Sequence, residues 1–363
     1  MKKPVNYNGN KYYNGRKAWD TGAPWIVVLS ERSDGKSLWY VKECVIDFLK
    51  NGHKLGYVRR YDNDIKQYKV NRYFSDPNLI KWLNDIGYSG IKCSFSEIWL
   101  MKIDEETGKE VKADLLGYPF CVSVQDDNKS LHFGCYNFIF EEFITNKLYL
   151  PNEFREFNHV ISTACRDGIF RAVLLGNTVA RDCPYLREMG INLFETKPGK
   201  IYETDLKQED GNSIKGVFDY VEAKPRKTNF FGNSEKSVVK GEWDVDPQPH
   251  LFFKIEKDNV LSECIMVTEL KQAYHVKRLY HDGDQYLYVY PMKYADVQFE
   301  FCDIFTTTPD FESGYFYYAE KKRHKRYMPL IANNKLLFSD NLTGTEFKRA
   351  LKKHNPFVIA RGC

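Results

Sequence analysis

Trp25-Ile26-Val27-Val28-Leu29 is an unbroken apolar run, followed after a polar stretch by Leu38, Val41, Val45, Phe48 and Leu49 at the spacing of one helix face. Gly52 supplies a stop, so the pattern predicts a strand, a loop and a helix over 37–51. The run 54–61 (Lys-Leu-Gly-Tyr-Val-Arg-Arg-Tyr) then reads as a second strand, completing a unit of the length a parallel crossover needs. An α/β core is expected.

Shorter β-like runs follow at 91–103 and 119–125, with the charged turn Asp104-Glu105-Glu106-Thr107-Gly108-Lys109 between them, as hairpins inserted into that core would give. Tyr136-Asn137-Phe138-Ile139-Phe140 is an apolar strand running directly into Glu141-Glu142-Phe143. A helix is expected over 152–167, although its stripe is imperfect, and another strand over 169–175, closing on Gly176-Asn177-Thr178. Beyond about 195 the texture turns charged and rich in turn residues, as in Lys197-Pro198-Gly199-Lys200 and Glu209-Asp210-Gly211-Asn212-Ser213, which reads as a linker over 196–249. From 250 to the end, runs such as 251–255 and 286–290 and a final helix near 345–354 predict a smaller α+β domain. No repeat is visible. The expected division is therefore 1–195, the linker 196–249, and 250–363.

Bulk properties agree with two globular domains, since 363 residues are many for one core and the hydrophobic (43%) and aromatic (15%) shares supply buried surface. No apolar run is long enough to cross a bilayer, and the opening Met-Lys-Lys-Pro-Val-Asn-Tyr-Asn lacks the apolar segment of a secretory signal, so no membrane partner and a cytoplasmic location are expected. The nine cysteines lie singly, without a metal-type pair, and read as reduced, mostly buried thiols. A formal charge of +4 leaves any contact with nucleic acid to local clusters.

Two motifs carry chemistry. Ser30-Glu31-Arg32-Ser33-Asp34-Gly35-Lys36-Ser37 stands between the first strand and the first helix, the setting of a phosphate-binding loop of the form G-x-x-x-x-G-K-[ST]. Backbone N–H groups at a helix N-terminus cradle phosphate, Lys36 adds positive charge, and the Ser37 hydroxyl is suited to Mg²⁺. Ser30 replaces the usual first glycine; its hydroxyl can start the turn, and Gly35 is retained. The second motif is the strand-terminal pair, with Glu141 suited to hold Mg²⁺ and Glu142 to orient and deprotonate an attacking water. ATP and Mg²⁺ are the expected ligands. The bland alternatives are a surface turn and a solvated strand end.

In their order, Ser30 to Ser37, Tyr57-Val58-Arg59-Arg60-Tyr61, Phe138-Ile139-Phe140-Glu141-Glu142-Phe143-Ile144, Leu150-Pro151-Asn152-Glu153 and Gly176-Asn177-Thr178 resemble the genome-packaging ATPases of phi29-like phages, over about 25–192. The resemblance implies a P-loop, RecA-like ATPase domain of the additional-strand class (ASCE) with a mainly parallel sheet, and a C-terminal domain like a degenerate RNase H-like nuclease. It implies a homopentameric ring at the portal vertex in the host cytoplasm, driving double-stranded DNA into a procapsid, with or without a packaging RNA beside the portal or connector. Arg166 matches the arginine that reaches a neighbour's active site, with Arg171 as the fallback. Arg32 matches an arginine of the loop, and Asn177 a polar sensor beside it. Lys147 falls roughly where such motors grip DNA. Lys321, Lys322, Arg323, Lys325 and Arg326 form the strongest basic cluster, suited to nucleic acid, to the portal, or to a charged hairpin tip. Arg59 and Arg60 are left open between DNA, a neighbour and solvent.

The sequence thus favours an ATP-driven packaging translocase. A terminase with a working nuclease and a nucleotide-binding structural protein are the alternatives; for the former, the run 251–256 offers Lys254 and Glu256 but no aspartate.

Overall fold

The computed structural model of the protein describes residues 12–123, 134–145, 149–165, 167–181, 183–193, 196–208, 210–222, 229, 245–268, 272–293, 296, 304–306 and 326–354. The chain divides into two compact units, the first of residues 1–179 and 183–242, the second of 180–182 and 243–363.

A short helix α1 (Arg16–Trp19) precedes β1 (Trp25–Ser30), every residue of which is buried, as an unbroken apolar run requires when both faces of a strand are covered. α2 (Lys36–Asn51) follows the loop and ends at Gly52, whose φ of 75° is the left-handed stop anticipated for it. β2 (Lys54–Arg59) completes the crossover. The helices α3 (Gln67–Tyr73) and α4 (Pro77–Asp85) come next, the latter capped by the Asp76 carboxylate, which accepts from the Asn78 and Leu79 amides. Then come β3 (Gly90–Ser94), β4 (Glu97–Ile103), β5 (Glu110–Cys121), β6 (Cys135–Glu141), α5 (Glu153–Ala164), β7 (Arg171–Asn177) and α6 (Pro184–Glu188). A hairpin of β8 (Lys200–Lys207) and β9 (Ser213–Tyr220) closes the first unit.

These strands form one nine-stranded sheet in the order β3-β4-β5-β2-β6-β7-β1-β9-β8. The run from β5 to β9 is parallel throughout, whereas β3-β4-β5 and β8-β9 are antiparallel margins. The expected α/β architecture with a mainly parallel sheet is therefore present, and the segments read as inserted hairpins extend that sheet. β7 lies between β1 and β6, so a strand separates the loop-bearing strand from the one that ends in two acids.

The expected linker is corrected over 200–220. Gly211, with φ of 86°, and its polar neighbours make the hairpin turn between β8 and β9, not a flexible tether, and β9 pairs in parallel with β1 from Trp25↔Gly216 to Leu29↔Tyr220.

In the second unit, β10 (Val260–Val267), β11 (Ala273–His281) and β12 (Asp284–Met292) form an antiparallel meander, flanked by β13 (Ile304–Thr306) parallel to β10 and β14 (Leu336–Phe338) parallel to β12. Two helices, α7 (Met328–Ala332) and α8 (Asn341–His354), accompany it. Met266, Val276, Leu287 and Val289 pack with Ile331, Phe338, Phe347 and Leu351 as the core. α8 starts before the expected 345 because the Asp340 carboxylate accepts from the Thr343 amide at 2.8 Å and caps it there. The run 251–255 is not a strand. Its aromatic residues dock by their rings, Phe253 stacking on His281 at 4.0 Å. Cys44, Cys93, Cys121, Cys135, Cys165, Cys183 and Cys264 are free, buried thiols, as expected. Among the described residues no helix is long and apolar enough to cross a membrane.

Candidate functional site

Ser30 and Asn177 end neighbouring parallel strands and stand opposite each other in register. The Ser30 hydroxyl donates to the Glu31 carbonyl at 3.0 Å. Gly35 has φ of 87°, and a Cβ there would also meet the Tyr12 ring at 3.3 Å, which is why this glycine is kept where the first is not. Lys36 is the first residue of α2 and only 6% exposed; its Nζ donates to Asn177 Oδ1 at 2.6 Å and lies 3.5 Å from the Glu31 carbonyl oxygen. Burial lowers the Lys36 pKa, opposed by the negative field of Glu141, Asp34, Glu142 and Glu31. Arg32 is on the exposed side of the loop.

Glu141 ends β6 and is buried, while the Glu142 side chain is 61% exposed. Glu142 has φ of 58°, an uncommon conformation for a side-chain-bearing residue, and its amide donates to the Leu175 carbonyl at 2.9 Å. Tyr73, at the end of α3, donates its hydroxyl to Glu141 Oε1 at 2.7 Å, and the Ser37 side chain is within hydrogen-bonding reach of the same hydroxyl. Arg59, the last residue of β2, places Nη2 2.8 Å from Glu142 Oε2. Lys36, Ser37, Asn177, Glu141 and Glu142 are thus gathered at the carboxyl ends of β1, β7 and β6, where open parallel sheets hold their ligands. Tyr73 was not anticipated; it belongs to no motif, and only the folding of α3 brings it to the acids.

Arg60 turns inward. Its Nε donates to both Glu153 carboxylate oxygens at 2.9 and 3.0 Å, Nη1 to the Glu142 carbonyl at 3.1 Å, and Nη2 to the Phe143 carbonyl at 2.7 Å. Within the chain Arg59 meets the second acid, and Arg60 is interior.

Mg²⁺ takes oxygen ligands and relies on few protein groups besides phosphate oxygens and water. The Ser37 hydroxyl and the Glu141 carboxylate, both directed at the Tyr73 hydroxyl, are a donor set that fits it. Among the described residues no group of three or more His, Cys, Asp or Glu gathers as a metal site. Lys147, Arg166, Lys321, Lys322, Arg323 and Lys325 lie outside the described residues. Arg326 is exposed. Arg171 begins β7, at the end of the strand away from Asn177, with its guanidinium 4.1 Å from the Trp19 ring centroid. Lys254 and Glu256 pair with each other at 3.6 Å on the surface.

No family model matches the chain. The DNA packaging protein of Bacillus phage B103 is 25% identical over 303 residues, covering 69% of this chain and 88% of that protein. Among solved structures, the bacteriophage phi29 viral genome packaging motor assembly aligns with 94% of this chain and 100% of its own at 18% identity and a TM-score of 0.50. The N-terminal domain of the DNA packaging ATPase from bacteriophage phi29 aligns with 61% of this chain and 99% of its own at 22% identity and a TM-score of 0.45. The resemblance read from short motif blocks therefore holds, over a longer stretch than 25–192.

Proposed function

We propose that this chain is an ATP-hydrolysing translocase that drives double-stranded viral DNA into a procapsid. The observation that carries the reading is the convergence of Lys36, Asn177 and the two acids at the carboxyl ends of β1, β7 and β6. β7 between the loop strand and the acid strand matches the additional-strand arrangement expected of a RecA-like ATPase domain. The packaging role of the B103 relative supports the same reading.

The first-turn amides of α2 and Lys36 bind the phosphates, the buried ammonium acting in a low-dielectric setting where its charge is felt most. Ser37 and Glu141 would hold Mg²⁺, which when bound would supply Lewis-acid stabilisation of phosphate charge. Glu142 takes the proton of the attacking water, and Asn177, already bonded to Lys36, senses the terminal phosphate. Arg166 completes a neighbour's site in a ring, and a guanidinium in that role is worth about a thousandfold or more in rate. Lys147 and the 321–326 cluster contact DNA phosphates without regard to sequence, as a translocase requires. The second unit is a degenerate, RNase H-like nuclease domain: of its described acids, Glu263 pairs with His275 at 2.7 Å and with Lys277 at 3.3 Å, and Glu256 pairs with Lys254 at 3.6 Å.

ATP turnover measured against protein concentration, with and without double-stranded DNA, tests the whole. Turnover per chain should rise with concentration and with DNA. A constant value indifferent to DNA would leave a nucleotide-binding protein of another kind, and nicking of a plasmid in Mg²⁺ or Mn²⁺ would favour the terminase alternative.

A further inference from the structure

We infer that Arg60 is a positioning residue for hydrolysis, a clamp that sets where the Glu142 carboxylate stands by holding the main chain on its far side; this rests on the reading of Glu142 given above. Glu142 is in the left-handed region, and the next residue, Phe143, is fully buried. A non-glycine residue stays in that region only when its surroundings over-determine it. Here the surroundings are identifiable. Two guanidinium nitrogens take the carbonyls of Glu142 and Phe143, the third spans both oxygens of Glu153, and the Glu142 amide is anchored to Leu175 on β7.

Glu153 is in turn fixed from two more sides. The Leu150 amide donates to its Oε2 at 2.8 Å and the Tyr185 hydroxyl to its Oε1 at 3.0 Å. Arg60 also lies over the Tyr149 ring at 5.2 Å and the Phe140 ring at 5.9 Å. The side chains of Arg60 and Glu153 are 8% and 0% exposed, so neither is available to DNA or solvent. A planar fork with fixed donor directions can satisfy a carboxylate and two carbonyls at once; an ammonium is a compact charge and cannot reach all of them. The arrangement ties the turn carrying the second acid to the first turn of α5. Displacing a reacting group by about 1 Å lowers rate by roughly a hundredfold, which is what loosening this turn should do.

The test compares Arg60→Lys with Tyr185→Phe in the full chain, reading melting temperature, affinity for a fluorescent ATP analogue, and kcat and KM for ATP. Tyr185→Phe removes a bond to Glu153 but leaves the carbonyls held, so it should lower the melting temperature and keep kcat within about twofold. Arg60→Lys should lower kcat by about a hundredfold while nucleotide affinity, set by Lys36 and α2, changes less than about threefold. Should Arg60→Lys not fold, Glu153→Gln takes its place: an amide offers one acceptor where the carboxylate offers two, and kcat should fall by about tenfold or more with affinity kept. A folded Arg60→Lys with kcat near wild type, or a kcat loss matched by Tyr185→Phe at equal loss of melting temperature, would overturn the clamp. If instead Glu142→Gln hydrolyses ATP as fast as wild type, the assignment of the acid itself is wrong, independently of Arg60.

Discussion

The two ends of the same parallel strands are built on opposite rules. At the carboxyl ends of β1, β2, β6 and β7 stand an ammonium with a lowered pKa and two consecutive acids, the second of them left-handed. At the amino ends polar groups from α2, β6 and the loop before β2 bond one another around Asp47. Asp47, near the end of α2, accepts from Asn51 and Asn137 at 2.6 Å each and bonds the His53 ring at 2.9 Å, and Tyr136 stacks on His53 at 3.9 Å. One end gathers an ammonium among several acids, with Glu142 paired to Arg59 at 2.8 Å, and the other spends its polar groups on holding a helix to a sheet. The difference separates residues that act from residues that support, and substitutions should separate the same way.

The largest effect is expected from Glu142→Gln. Loss of the general base should cut ATP turnover by about a thousandfold, with little change in melting temperature because the Glu142 side chain is itself 61% exposed and Gln keeps an acceptor for Arg59. A large stability loss with little loss of turnover would reverse the assignment of the two ends. Next comes Tyr73→Phe, which removes the donor to Glu141; the Mg²⁺ concentration giving half-maximal nucleotide binding should rise by about tenfold, as for other groups that orient a metal ligand. An unchanged Mg²⁺ titration would place the metal elsewhere. The smallest functional effect belongs to the amino end. Asp47→Asn should leave turnover intact and lower stability by about 1–2 kcal/mol, because a charge-assisted cluster is lost.

The acid limb of stability gives the same residue a second readout. Although desolvation pushes the Asp47 carboxyl up, hydrogen bonds from Asn137, Asn51 and His53 hold it below its ordinary value. A lowered folded pKa means the stabilisation is full above the unfolded value of about 4 and disappears as pH falls through the folded one. Denaturant melts of wild type should therefore lose stability in that window more steeply than those of Asp47→Asn.

The loop and the acid pair were legible because their meaning is local: a buried apolar run, a turn, and a helix for the one, and a strand running into two glutamates for the other. Tyr73 and the unequal fates of Arg59 and Arg60 were not legible, because adjacent residues at a strand end face opposite sides and only the packed α5 shows which side is interior. The 200–220 hairpin was missed for a related reason. Its charged alternation fits a marginal strand as well as a tether, and the deciding partner, β1, lies far away in sequence. The run 251–255 failed in the other direction: aromatic content signals burial against something, and here the something is a ring of β11 and not a backbone edge.

The lateral pairing of β9 with β1 has a practical corollary. Anyone trimming this protein to its first unit at residue 195 would strip one whole side of the strand that carries the loop, along with Asp219, whose carboxylate receives the Tyr13 hydroxyl at 2.7 Å. Such a fragment would display a bare, apolar ribbon ready to recruit foreign chains. A usable shortened form has to retain Tyr220.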